Sequence, residues 1–112
     1  MSVKTLVENG KMAVAVSPGY GVGWSTWNEK ELAYDKRVIE LILMYQAKDI
    51  TEDEFKEKLE MLGYHNTYCG GLDQICIQWI PFGSTFRIDE YDGYEIIQTL
   101  EDMHLITAGE EI

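Results

Sequence analysis

The chain has 112 residues, 46% of them hydrophobic, and this length suits a single domain spanning residues 1–112. Twenty acidic residues against nine basic ones give a formal net charge of −11 at pH 7, and the basic residues are dispersed along the sequence. This charge disfavours contact with DNA, RNA and anionic membranes, so we expect neither a nucleic acid nor a membrane as a direct partner.

The N-terminal region predicts a β-hairpin. Two strand-like runs, residues 3–7 and 11–16, flank Asn9-Gly10, the dipeptide best suited to the positive φ angles of a type I′ turn. One face of the second run carries the small side chains of Ala13 and Ala15. Small residues at these positions predict that another element, such as a helix, packs closely over that face.

Residues 18–28, which we call the glycine loop, alternate three glycines with large aromatic residues. Glycine permits positive φ and close approach of a ligand or partner, and tyrosine and tryptophan offer flat rings with a polar tip. The composition predicts an exposed recognition loop for a protein or a small ligand, and a purely structural loop is the alternative. Its G-x-G-x-G spacing is a weak nucleotide signal, because it lacks the third glycine of a dinucleotide site and lacks G-K-[ST]. The candidate binding residues of the loop are Tyr20, Gly21, Gly23, Trp24, Ser25, Thr26 and Trp27.

Three helices are predicted after the loop. Asn28 with Glu31 has the spacing of a capping box for a short helix over residues 29–34. A main helix over residues 35–47 follows, and Leu43 and Met44 widen its apolar face, which predicts a well-buried helix.

The third helix has the strongest boundary signals. Thr51 and Glu54 form a capping box, Ile50 is placed to pack on Phe55 as a hydrophobic staple, and Gly63 is placed to end the helix. The connector that follows, residues 64–71, includes a histidine that we interpret as a surface turn residue.

From residue 72 the apolar pattern changes to strand-like alternation. Ile75, Ile77 and Trp79 share one face, which we predict to be buried, and Gln74, Cys76 and Gln78 occupy the opposite face. Residues 81–84 turn the chain back, and strands over 85–91 and 94–100 form a second hairpin about Asp92-Gly93. No order is predicted for the short acidic stretch from Glu101 onward.

This order of elements predicts an α+β fold. We expect a mostly antiparallel sheet of about five strands, made of the N-terminal hairpin and the C-terminal meander, with two or three helices packed on one face.

The second hairpin carries the other candidate contacts. Its turn places Glu90 opposite Glu95, and two facing carboxylates are expected to splay into water or to share a proton, a cation or a basic partner group. Arg87 pairs with Asp89 or contacts an external anion, and it is the best single polar contact residue in the chain. The hairpin thus adds Arg87, Tyr91 and Tyr94 to the candidate binding residues.

No catalytic or metal motif appears in the sequence. It contains neither G-x-S-x-G nor H-E-x-x-H, so we predict a protein that is not an enzyme. A metal site would combine His65, Cys69, Cys76 and His104, but their spacing matches no zinc motif, and we predict no metal or cofactor.

We expect a cytoplasmic location. The first six residues lack the charged start and apolar core of a secretory signal, and no apolar run is long enough to cross a bilayer. Cys69 and Cys76 are then expected to be reduced thiols, one partly buried and one exposed.

Two segments, residues 14–27 and 86–95, resemble parts of small, uncharacterised accessory proteins encoded by bacteriophages and prophages. The resemblance spans most of the chain in order and carries over no catalytic residue. It implies a protein that acts in the host cytoplasm by binding, either by blocking a host protein or by sequestering a host signal, and it implies a homo-oligomer.

The sequence therefore leads to one expectation and two alternatives. We expect non-catalytic binding to a host protein through the glycine loop and the second hairpin. The first alternative is a nucleotide-like small ligand that stacks on Tyr20, Trp24 or Trp27 near Arg87. The second is a minor virion or assembly component.

Overall fold

The computed structural model describes residues 3–100, and it confirms the α+β class. The C-terminal stretch from Glu101 onward lies outside the described residues, and it includes the metal-ligand candidate His104. Within the described part, the strands are β1 (Val7–Glu8), β2 (Lys11–Val16), β3 (Cys76–Pro81), β4 (Phe86–Tyr91) and β5 (Tyr94–Thr99). The α-helices are α1 (Lys36–Gln46) and α2 (Glu52–Met61), and short 3₁₀ helices cover Ser25–Trp27, Lys30–Ala33 and Leu72–Gln74.

The five strands pair antiparallel in two sheets instead of the single sheet that we expected. One sheet has the order β1-β2-β3, and the other is the β4–β5 hairpin. On one edge of β2, strand β1 pairs only with Lys11 and Met12, and on the other edge β3 pairs along the whole strand. The second hairpin is not a paired strand of this sheet. It packs against a face of the sheet instead.

Both faces of β2 are buried. Ala13 and Ala15 belong to the core cluster that includes the inward side chains of α1 and α2, as the small alanine side chains predicted. Val14 and Val16 point to the other side, where Phe86, Ile88 and Ile97 of the second hairpin pack against them. The molecule therefore has three layers: the helices, the three-stranded sheet and the second hairpin.

The two predicted hairpin turns are confirmed. Asn9 and Gly10 have φ angles of 52° and 75°, and Asp92 and Gly93 have φ angles of 48° and 88°. Both residues of a type I′ turn need positive φ, which explains the two dipeptides.

The capping box of α2 and its end at Gly63 are also as predicted. The Thr51 side chain accepts from the Glu54 amide, and the Glu54 side chain accepts from the Thr51 amide. At the other end, Gly63 has a φ of 97°, its amide donates to Glu60 O, and the Tyr64 amide donates to Leu59 O. These two bonds form a Schellman motif, so Gly63 ends the helix as expected.

Helix α1 begins as predicted but is less buried. Val38, Ile39 and Ile42 are fully buried, whereas Leu43 and Met44 are 44% and 38% exposed. The expectation that Leu43 and Met44 widen the buried face was wrong. Successive helical residues are turned by about 100°, which carries these two side chains past the edge of the buried face.

The short helix before α1 also differs from the prediction. It is a 3₁₀ helix over Lys30–Ala33, and it has no side-chain cap. The Asn28 side chain instead accepts from the Tyr68 amide and donates to Tyr68 O, so it joins the glycine loop to the connector after α2.

The predicted burial of β3 is partly wrong. Ile75 is buried, but Trp79 is 40% exposed, and Ile80 on the opposite face is buried instead. Because β3 is the outer strand of its sheet, the helices cover Ile77 only in part and leave Trp79 accessible.

Among the described residues, no helix is both long enough and apolar enough to cross a membrane.

Asp35 caps α1 from a fully buried position. Its carboxylate accepts from the Arg37 amide, from Arg37 Nε and Nη2, and from the Tyr64 hydroxyl at 2.8 Å. Burial alone would raise the pKa of this carboxyl, but the hydrogen bonds from Arg37 and Tyr64 outweigh burial and lower the pKa. A carboxyl with a lowered pKa in the folded state stabilises the fold above its unfolded pKa of about 3.9, and this contribution is lost as the pH falls through the folded pKa.

Asp35→Asn should lower the free energy of unfolding by about 1–3 kcal/mol at pH 7, because one of the two acceptor oxygens becomes an NH₂ group that faces donors of Arg37 or Tyr64, and the remaining oxygen is neutral. The difference between the variant and the wild type should shrink below about pH 4, where the wild-type carboxyl takes up a proton. Urea unfolding at neutral and acidic pH measures both quantities. The exposed Asp49→Asn is the control and should change stability by less than about 0.5 kcal/mol at pH 7. A deficit for Asp35→Asn that does not change with pH would contradict this account.

Candidate functional site

The glycine loop is fixed by the buried carboxylate of Glu95. This residue is 2% exposed and lies on β5, on the face that packs toward the sheet. Its Oε1 accepts from the Ser17 amide at 2.9 Å, and its Oε2 accepts from the amides of Trp24 and Thr26, each at 3.0 Å, and from the Thr26 hydroxyl at 2.5 Å. The Glu95 amide in turn donates to Ser17 O at 2.8 Å. One carboxylate thus binds the residue that precedes the loop and the middle of the loop.

The predicted facing of Glu90 and Glu95 is confirmed, and the two carboxylates separate. Glu95 points inward, while exposed Glu90 accepts from the Gly93 amide at 2.7 Å and from Trp27 Nε1 at 3.2 Å. The hydrogen bond from the Gly93 amide is the main cause that lowers the pKa of Glu90, and the bond from Trp27 Nε1 lowers this pKa further. Each carboxylate has its own donors, so neither needs a shared cation.

The turn of the second hairpin packs directly on the backbone of the glycine loop. The Gly21 amide donates to Asp92 O at 2.5 Å, and a Cβ atom on Gly93 would lie 2.5 Å from Val22 O. Within the loop, a Cβ atom on Gly23 would lie 2.5 Å from the Trp27 ring. Glycine at these positions allows close packing inside the protein, which supports a structural role for this part of the loop.

Two predicted contact residues are core residues. Trp24 is 1% exposed, its ring packs near Phe55 at a centroid distance of 6.3 Å, and its Nε1 donates to Leu32 O. Ser25 is 4% exposed. The hydrogen bond from the Trp24 amide to Glu95 draws the main chain inward here, so the Trp24 ring serves the core and offers no contact surface.

Three predicted tyrosines come together on the outside. The Tyr20 ring lies 5.1 Å from that of Tyr94 and 6.3 Å from that of Tyr91, and the second pair is edge-to-face. Tyr20 and Tyr91 are 66% and 77% exposed, and Tyr94 is half-buried. We call these residues the tyrosine patch. They line a shallow depression of about 340 Å³ together with Asp89, Glu90 and Ile96.

A second aromatic pair lies on the other side of the loop. The rings of Trp27 and Tyr68 are 5.3 Å apart, and both are partly exposed. Tyr68 was not among the predicted contact residues, because it lies 40 residues from Asn28, whose side chain bonds the Tyr68 backbone. No local pattern marks this contact.

Arg87 stands apart from the tyrosine patch. Its Nε donates to Asp89 Oδ1 at 2.8 Å, which confirms the predicted internal pair. Its exposed side chain lines a separate depression of about 250 Å³ with Thr26, Lys30 and Tyr34, among others. The structure therefore does not bring Arg87, Trp24 and Tyr20 into one pocket.

A depression of about 650 Å³ lies between the α1–α2 connection and the start of β3, and one of the candidate metal ligands, Cys76, lines it. In it, Tyr45 donates to Asp73 Oδ1 at 2.6 Å, and this hydrogen bond raises the pKa of Tyr45 to about 12. Both cysteines are free thiols: Cys76 is the exposed one that was predicted, and Cys69 is more deeply buried than the partly buried thiol that was expected. Burial raises the pKa of Cys69. Among the described residues, no three potential ligands are grouped so that they could hold a metal ion.

Comparisons with protein-family models, curated protein sequences and solved structures gave no match to this chain.

Glu95→Gln should lower the free energy of unfolding by about 2–4 kcal/mol, because the new NH₂ group faces either the Ser17 amide or the amides of Trp24 and Thr26. At least one buried N–H then loses its acceptor, and the remaining bonds lose the carboxylate charge. Guanidinium unfolding measures the loss.

The matched control is Glu90→Gln, directly across the hairpin and exposed to solvent. It should lower stability much less than Glu95→Gln does, because solvent replaces the lost interactions of an exposed carboxylate. Equal losses for the two variants would show that Glu95 has no special role in fixing the loop.

Proposed function

We propose that this protein acts by non-catalytic binding to a host protein, and that the tyrosine patch contacts a basic segment of that partner. A host protein is proposed because the sequence resembles bacteriophage accessory proteins. The observation that carries the binding proposal is the convergence of Tyr20, Tyr91 and Tyr94 on the outside of a glycine loop that is fixed from within by Glu95.

Exposed tyrosines are suited to protein contact. A tyrosine ring gives a large contact area while ordering only two side-chain torsions, and its hydroxyl can form a hydrogen bond with the partner. The residues that dominate the energy of protein interfaces are enriched in tyrosine, tryptophan and arginine. Two of the three rings in the patch are mostly exposed, so they are available for such a contact.

The charge around the patch favours a cationic partner. Asp89 and Glu90 line the same depression as the rings, and the chain as a whole carries a net charge of −11. The lowered pKa of Glu90 keeps its carboxylate ionised at neutral pH. A lysine or arginine side chain of the partner could lie over a tyrosine ring and pair with these carboxylates, and the acidic surface would attract it from a distance.

The patch is also held in place before any partner binds. The hydrogen bond from Gly21 to Asp92 and the close packing of Gly93 on Val22 fix the end of the loop that carries Tyr20 against the hairpin turn between Tyr91 and Tyr94. A surface that is already ordered loses less conformational entropy on association. The patch offers rings and carboxylates without a nucleophile paired to a base, which is why we propose binding instead of catalysis.

The nucleotide-like ligand has less support. Trp24 lies in the core, and Arg87 lines a different depression from Tyr20. The residues that would bind such a ligand therefore do not lie in one pocket. A role as a minor virion or assembly component stays a prediction.

Affinity capture from a lysate of the bacterial host, followed by calorimetric titration of the recovered partner, tests the proposal. Tyr91→Ala should weaken binding about 30-fold, since truncating a central interface residue costs about 2 kcal/mol or more. Binding should also weaken as the salt concentration rises, because salt screens the charge attraction.

Phe82→Ala is the matched control. Phe82 is 60% exposed, and its amide bonds to Gly10, at the opposite end of β2 from the loop. The Phe82→Ala variant should bind the host partner with the same affinity as the wild type. A partner that binds Tyr91→Ala as tightly as the wild type would rule out the tyrosine patch as the contact surface.

A further inference from the structure

Strand β3 leaves its outer edge unpaired among the described residues. In an antiparallel pair, successive residues point their backbone N–H and C=O groups alternately toward and away from the partner strand. The Phe82 amide donates to Gly10 O at 2.8 Å, so the backbone groups of Phe82 point toward β2. Pro81 is paired with Lys11, and counting back from Phe82 along β3 gives the direction of each residue's backbone groups. Ile77 and Trp79 therefore point their backbone groups outward, away from β2.

The ends of this open edge are closed to further pairing. At one end, Ile75 O already accepts from Gln46 Nε2 at 2.8 Å. At the other end, Pro81 has no N–H to donate. Ile77 and Trp79 are thus the two residues of β3 that present both a donor and an acceptor at this edge.

We propose that two copies of this chain associate through this edge, so that their three-stranded sheets join into one antiparallel sheet of six strands. With a two-fold axis at Gln78, Ile77 of one copy faces Trp79 of the second copy, and Trp79 faces Ile77. Each of the two pairs exchanges two backbone hydrogen bonds, which satisfies all four outward groups of each strand. The edge is therefore complementary to itself.

The charge pattern favours a second copy as the occupant. Residues 74–86 contain no charged side chain, although the chain carries a net charge of −11. Edge strands of soluble proteins commonly carry lysine or other charges that prevent pairing, and β3 has none. Two acidic copies can meet here without placing like charges opposite each other.

The side chains fit the same arrangement. Trp79 is 40% exposed and shares a face of β3 with Ile77. In the proposed register each tryptophan lies beside an isoleucine of the second copy, and aromatic residues paired with β-branched residues stabilise neighbouring strands. This contact shares no residue with the tyrosine patch, so the two proposals fail or succeed separately.

Sedimentation velocity over a dilution series and native mass spectrometry test the proposal. The wild type should reach twice the monomer mass of 12.9 kDa at high concentration. Gln78→Lys and Gln78→Glu should each reduce the association constant at least about tenfold, because the two introduced charges face each other across the axis at a Cβ distance of about 5 Å. An equal mixture of the two variants should regain association as a mixed dimer, since the facing charges are then opposite.

Met61→Lys is the control for an added charge, because Met61 is 82% exposed on α2, and it should associate like the wild type. A wild type that stays monomeric at every concentration would overturn the proposal. So would variants at Gln78 that dimerise normally, or a mixture that does not regain association.

Discussion

The arrangement of the loop and the second hairpin depends on the buried carboxylate of Glu95. A buried charge is costly unless hydrogen bonds replace the water that it loses, and Glu95 has four donors from Ser17, Trp24 and Thr26. These donors gain as well, since a buried amide without an acceptor destabilises the fold. The loop and the hairpin thus satisfy each other's polar groups. The Trp24 ring enters the core on one side of this link, and the tyrosine patch forms on the other.

The three-layer arrangement explains why the molecule has two accessible surfaces of different character. Residues 13–16 of β2 are fully buried, so this part of the strand takes part in neither surface. The second hairpin, which covers one face of β2, carries Tyr91, Tyr94 and Asp89 on its outer side. Strand β3 forms an uncharged edge of the sheet. The proposed basic partner would contact the first surface, and the proposed second copy of the chain would pair at the second.

Much of the fold was predictable because its signals are local. The turns at Asn9-Gly10 and Asp92-Gly93, the capping box of α2 and its end at Gly63 each depend on a few adjacent residues. The expectations that were wrong depend on distant contacts: Trp79 is exposed because β3 is an outer strand, and Asn28 bonds to Tyr68 instead of capping a helix. For the candidate site, alternation along the hairpin placed Glu90 opposite Glu95. It gave no sign that Glu95 binds a loop about 70 residues earlier in the chain.

Amide hydrogen exchange of the wild-type protein, followed by NMR, tests the role of Glu95 most directly. If its carboxylate binds the loop as described, the amides of Ser17, Trp24 and Thr26 should exchange as slowly as those of the buried strand β2, because each is hydrogen-bonded and opens only with the surrounding structure. If the Trp24 and Thr26 amides exchange as rapidly as those of an unstructured peptide, the carboxylate does not hold the loop, and the account of the tyrosine patch as a fixed surface is contradicted.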